Sequence, residues 1–148
     1  MAALTQIQIK EIADQLDFGF RCFWNQDNNE LVFIPDLIKH PEMDEFYQDD
    51  IEKVDCNFGN YVEIQPMESY ESFQIMAEFI DSLQYSNKLK NKLTFALTKK
   101  KPFREFKFTI DNSGPFRQQW FDFKNKKLKE WVCKKIDELT DNEREKSS

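Results

Sequence analysis

One histidine, His40, and three cysteines, Cys22, Cys56 and Cys133, are the imidazole and thiol groups of this chain of 148 residues. Acyl transfer needs a nucleophile held beside a base. His40 precedes Pro41 in a polar stretch, and no Ser or Cys occupies a nucleophile elbow or an equivalent motif. His40 therefore reads as a surface histidine. The cysteines are odd in number and widely spaced, without zinc-finger or redox spacing, and read as buried reduced thiols. The segment 36–60 carries Glu42, Asp44, Glu45, Asp49, Asp50, Glu52 and Asp55. A carboxylate pair from it, with His40 or Tyr47 nearby, is the one arrangement that could do general acid–base work. Its stretch DEFYQDDIEKVD lacks the glycine that a calcium loop needs. Gly19, Gly59 and Gly114 are too far apart for a phosphate-binding loop. The expectation is a non-enzymatic chain with no catalytic residue, no metal and no cofactor.

The stronger signal is basic and aromatic. Lys88, Lys90, Lys92, Lys99, Lys100, Lys101, Arg104 and Lys107 stand against a single acid, Glu105, between positions 88 and 108. The tripeptide Pro-Phe-Arg occurs at 102–104 and again at 115–117. Cations neutralise phosphates and exposed aromatics stack on bases, so segment 88–107 could bind nucleic acid. Two observations oppose that. The sequence pI is about 4.9, whereas dedicated binders are basic. Phe103 and Phe106, and Phe116 and Trp120, also sit at helical core spacing. The repeated Pro-Phe-Arg then marks two helix starts, with proline in the first turn, phenylalanine turned inward and arginine at the surface. Arg104, Lys107 and Arg117 remain as the candidate binding residues, suited to an acidic protein partner, with nucleic acid as the alternative.

Charge is divided along the chain. Positions 1–83 hold 18 acids and 4 bases, and positions 84–148 hold 9 acids and 17 bases, for a net −6. Such a division means either a basic face open to an anionic partner or two halves that fold against each other. The second is preferred, with the surface arginines pairing to acids of the first half.

The elements that must carry these residues follow from periodicity. Thr5 caps a helix to Leu16 with Ile9, Ile12, Ala13 and Leu16 on one face. The period then changes to two: a strand from Phe18 to Trp24, a turn at Asp27-Asn28-Asn29 and a strand from Leu31 to Ile34 form a hairpin. Phe23 makes the second face of the first strand apolar as well. Segment 36–60 reads as a loop with a short helix near Met43 to Tyr47. Tyr61 to Pro66 is a third strand. Four helices follow, capped or opened by Ser69, Ser86, Pro102 and Pro115 and ending near Leu83, Leu97, Asn112 and Leu139. With 15 Phe, three Trp and only three Gly, long helices around a substantial aromatic core are expected. The fold class is α+β: an N-terminal helix and a three-stranded antiparallel sheet, then a four-helix half. Residues 1–140 are expected to form one domain and 141–148 a polar tail. No apolar run is long enough for a bilayer span and no secretory signal is seen, so a cytoplasmic location is expected.

The stretches PMESYESFQIMAEFIDSL, PFREFKFTIDN and RQQWFDFKNKKLKEWV, with the early IADQLDFGF and its hairpin, resemble Uncharacterised Protein Family 0158. The shared units fall on Phe103, Arg104, Phe106 and Lys107, and on Arg117, Trp120 and Phe123. Two departures are Phe108, where the family tends to have Asp, and the link from Ile110 to Pro115. The resemblance implies a small cytoplasmic bacterial protein and supports the α+β fold. It brings no activity, ligand or catalytic residue with it.

Overall fold

The computed structural model describes residues 3–83 and 87–146. They form two compact units. A sheet unit comprises the residues up to Met67 together with those from Lys129 onward, and a helical unit comprises Glu68–Leu128.

In the sheet unit, helix α1 (Gln6–Asp17) starts at a reciprocal cap. The Gln8 N–H donates to Thr5 Oγ1 at 3.1 Å, and the Thr5 N–H donates to Gln8 Oε1 at 2.9 Å. Ile9, Ile12, Ala13 and Leu16 are buried along one stripe. The helix ends in a Schellman motif. Gly19, at φ 89°, donates to the Leu16 carbonyl at 2.9 Å, and Phe20 donates to that of Gln15 at 3.1 Å. This stop corrects the expected strand start at Phe18: that side chain is 83% exposed, and the strand begins at Arg21.

Strands β1 (Arg21–Asn25), β2 (Leu31–Ile34) and β3 (Tyr61–Ile64) form an antiparallel sheet in the order β2-β1-β3. Cys22 pairs with Phe33 on one side and Ile64 on the other. The hairpin turn uses Asn29 at φ 61°, and the Trp24 indole N–H donates to Asn29 Oδ1 at 3.0 Å. Cys22, Trp24 and Ile64 are buried on the face where β1 meets α1. Val32, Ile34 and Tyr61 are buried on the other, packed with Val54, Ile51 and Phe23. The sheet is thus covered on both faces, which accounts for an apolar Phe23 on the side opposite Cys22 and Trp24.

Val54 and Ile51 belong to a helix, not to the loop expected at 36–60. The segment folds as a 3-10 helix (Pro41–Tyr47), helix α2 (Gln48–Cys56) and a 3-10 turn (Phe58–Asn60). Two apolar residues three apart suffice to seat α2 on the sheet, and Asp49 and Asp50 sit in its first turn, where carboxylates are favoured.

The helical unit contains α3 (Ser69–Ser82), α4 (Asn87–Ala96), α5 (Pro102–Asp111) and the start of α6 (Phe116–Lys146). The cap of α3 is Glu68 rather than Ser69; its N–H donates to the Glu71 carboxylate at 3.3 Å. The expected cap at Ser86 lies outside the described residues. Pro102 stands in the first turn of α5, and Pro115 directly precedes α6, which continues to Lys146, beyond the expected end at Leu139. Met76, Phe79, Ile80, Leu83, Leu89, Leu93, Phe106, Ile110 and Trp120 form one buried core. Trp120 is its hub: its ring lies 5.2 Å from that of Phe79 and 4.8 Å from that of Phe106, both edge-on. Phe103 is not inward as expected. It is 43% exposed, because Phe106 and Ile110 already define the buried side of α5 and Phe103 lies at its margin. Trp120→Ala should cost about 3–5 kcal/mol, read from the urea midpoint at unchanged slope. A midpoint near wild type would show that the ring contributes little to the core.

Candidate functional site

The three candidate cations are all exposed and all belong to the helical unit. Arg104 and Lys107 lie three apart on α5, and Asp111 follows four residues after Lys107, so the three share one stripe. Among the described residues neither Arg104 nor Lys107 has an ion-pair partner. Arg117 differs. Its Nε donates to Asp111 Oδ1 at 3.2 Å, and its guanidinium lies 4.7 Å from the Phe121 ring centre. The expected pairing of the surface arginines with acids of the first half is therefore corrected: the partner of Arg117 is local. Positions from the two halves of the sequence do pair in Lys127 with Glu78 at 3.3 Å, within the helical unit itself. That unit carries seven acids and twelve bases, a balance of +5, and the sheet unit carries the remaining −11.

Beside the Arg104–Lys107 stripe, α5 turns a second surface toward α4. A groove of about 370 Å³ opens there, lined by Lys88, Leu89 and Lys92 of α4, Phe108, Thr109, Asn112 and Ser113 of α5 and the segment after it, and Phe116 of α6. Leu89 is buried at its base, while Phe108 is 68% exposed. Periodicity contained the signal for Phe108: it falls two residues from both Phe106 and Ile110, which point inward. The part played by Lys88 and Lys92 was not visible, because the groove draws on three helices. Phe95 is exposed too, but Lys99 Nζ sits 4.2 Å from its ring centre and occupies that face.

The remaining candidates are placed apart from this surface. Glu42, Asp44, Glu45, Asp49, Glu52 and Asp55 are exposed, so the acidic segment encloses no carboxylate pair. Tyr47 is half-buried, with its ring edge-on to Phe20 at 6.2 Å. His40 is exposed, with Nδ1 3.4 Å from Glu42. No group of three His, Cys, Asp or Glu side chains among the described residues is placed to hold a metal ion, and no helix among them is long and apolar enough to cross a membrane. The thiols are all free, but only Cys22 is buried; Cys133 is half-buried, and Cys56 is exposed at the end of α2, contrary to the expectation that all are enclosed. Burial pushes the Cys22 thiol up to about 12, with a smaller effect from the Glu11 and Glu63 carboxylates. It therefore stays protonated and unreactive at neutral pH. On the far face of the sheet, Arg21 donates to Glu63 at 2.6 Å, a hydrogen bond that raises the arginine pKa further.

The profile described as Uncharacterised protein family (UPF0158) matches residues 4–146. The chain belongs to that family. A UPF0158 protein of Pseudomonas aeruginosa is 25% identical over 138 residues, which covers 93% of this chain and 83% of the relative. No solved structure matches. The family carries no assigned function, so its match bears on kinship and not on chemistry.

The Cys22 environment makes a pH prediction. The unfolded thiol loses its proton near pH ~8.5, and the folded one holds it to about 12. The stabilisation is complete below ~8.5 and is lost as pH rises toward 12, at ~1.4 kcal/mol per pH unit. Urea unfolding between about pH 8 and 10.5 should therefore weaken more steeply in wild type than in Cys22→Ala, which shares every other titrating group. Parallel slopes would contradict the assignment.

Proposed function

We propose that this protein is a small cytoplasmic bacterial domain, non-enzymatic, that binds or regulates an acidic protein partner through the basic face of its helical unit. The observation that carries this reading is the exposed stripe of Arg104 and Lys107, unpaired among the described residues, on a unit of charge +5. Complementary charge of this kind steers encounter and selects partners. Arg117, held by Asp111 and Phe121, marks the end of the stripe with a pre-oriented guanidinium. Three unpaired thiols suit a reducing compartment, and the Pseudomonas relative suits a bacterial origin. Arg104→Glu combined with Lys107→Glu should leave folding intact and remove the specific partners that wild type retains in a pull-down. Recovery of the same partners by the variant would contradict the reading.

A second reading is favoured by Phe108 and Phe103, which stand exposed within or beside the basic segment 88–107. Cations with free ring faces are what single-stranded nucleic acid uses. That reading expects binding of a labelled oligothymidylate at low salt with affinity falling steeply as salt rises. No binding of DNA or RNA at low salt would eliminate it.

A further inference from the structure

We propose that the groove between α4 and α5 is a peptide-docking site that takes an acidic segment presenting one aromatic or large aliphatic side chain between carboxylates. The inference rests on the reading of the helical unit as the partner-binding surface, and it adds the groove beside the Arg104–Lys107 stripe as the seat for an apolar side chain of that partner.

Four features of the groove select this occupant. The first is charge. Lys88 and Lys92 lie four apart, on one side of α4, both exposed and without an ion-pair partner among the described residues, so their ammonium groups can meet carboxylates along the groove. The second is an apolar seat. Leu89 closes the base, half-buried Phe116 extends it, and the exposed ring of Phe108 stands on the opposite wall from the lysines. An apolar side chain laid against Phe108 would remove that ring from water, at about 25 cal/mol for each Å² covered.

The third feature is the direction of the hydrogen bonds on the α5 wall. Thr109 Oγ1 donates to the Glu105 carbonyl at 2.9 Å, Ser113 Oγ donates to the Ile110 carbonyl at 2.5 Å, and Asn112 Nδ2 donates to the Phe108 carbonyl at 2.8 Å. The Thr109 and Ser113 hydroxyls have spent their single donors on the helix backbone and keep acceptor capacity, and Asn112 keeps its Oδ1 acceptor together with a second N–H. The wall is thus richer in acceptors than in donors, which suits peptide N–H groups, while the charged donors facing it are the two lysines. A DNA sugar–phosphate backbone presents only acceptors and would leave the Thr109 and Ser113 oxygens unmatched. The fourth is charge at longer range. The chain is net −6, and the sheet unit alone is −11. An extended polyanion carries repulsion along its whole length, whereas a short acidic segment brings only a few charges. The volume, about 370 Å³, falls within the range of pockets that hold one compact apolar group with flanking polar atoms.

The test uses the full chain and a fluorescein-labelled heptapeptide with one Phe flanked on each side by three carboxylate residues, read by fluorescence anisotropy at low salt, about 50 mM. Binding is expected, weakened about tenfold or more by Lys88→Glu with Lys92→Glu. A loss of about fivefold is expected from Phe108→Ala, or from replacing the peptide's Phe with Ala. Arg104→Glu with Lys107→Glu should weaken it less than the Lys88/Lys92 reversal does, through longer-range charge, and that smaller loss should fade as salt is raised while the loss from Phe108→Ala persists. All substituted residues are exposed, and circular dichroism melting confirms that each variant is folded. If the Arg104/Lys107 variant abolishes binding and the Lys88/Lys92 and Phe108 variants do not, the groove assignment is overturned and the basic-face reading stands. Absence of peptide binding to wild type overturns the groove, while the pull-down described above still decides the basic-face reading. Oligothymidylate binding that depends on Lys88, Lys92 and Phe108, without peptide binding, overturns it in favour of nucleic acid.

Discussion

The edge-on packing of Trp120 against Phe79 and Phe106 holds the helical unit together, because those three rings come from α6, α3 and α5. Once Phe106 is committed to that cluster, helical geometry fixes the rotation of α5. Ile110 follows Phe106 inward, and Arg104, Lys107, Phe108 and Asn112 are turned to solvent. The surface proposed as functional is therefore a direct consequence of the core. No separate device holds the cations outward, and loosening Trp120 would blur both the stripe and the groove wall.

Electrostatics act on this scaffold at two ranges. Local pairs settle individual side chains: Asp111 holds Arg117, Glu78 meets Lys127, and Glu30 pairs with Lys53 in the sheet unit. Exposed pairs of this kind are screened by solvent, so they orient groups more than they stabilise the fold. The longer-range effect is the imbalance between a unit of +5 and one of −11. Lys88, Lys92, Arg104 and Lys107 are surplus to the local pairing among the described residues, and that surplus distinguishes this face from an ordinary solvated helix surface.

Much of this was legible in the sequence where apolar spacing is dense. The stripes Ile9-Ile12-Leu16 and Met76-Ile80 and the alternation of Cys22 with Trp24 each correspond to an observed element with those residues buried. Failures arose where the signal is sparse or where two signals overlap. Helix α2 rests on Ile51 and Val54 amid acids, too few apolar positions to show a period. Phe18 looked like the first residue of a strand because it alternates with Phe20, but Gly19 turns the chain out of α1 at that point. Phe103 looked inward from its spacing to Phe106, although three residues subtend about 300° on a helix and place it at the margin. The candidate cations were readable as charges in a basic run. The groove was not, since it assembles residues from 88 to 116 across three helices, and only tertiary packing brings those together.

If the α4–α5 face of the helical unit is an open contact surface for acidic segments, it must respond to one in solution. Amide NMR spectra of the full chain, recorded while the Phe-centred acidic heptapeptide is added, test it most directly. Shifts concentrated at positions 88–92 and 104–117 that saturate with peptide and fade with salt are expected. Shifts concentrated in 36–60 or 129–146 would contradict it, as would an unchanged spectrum.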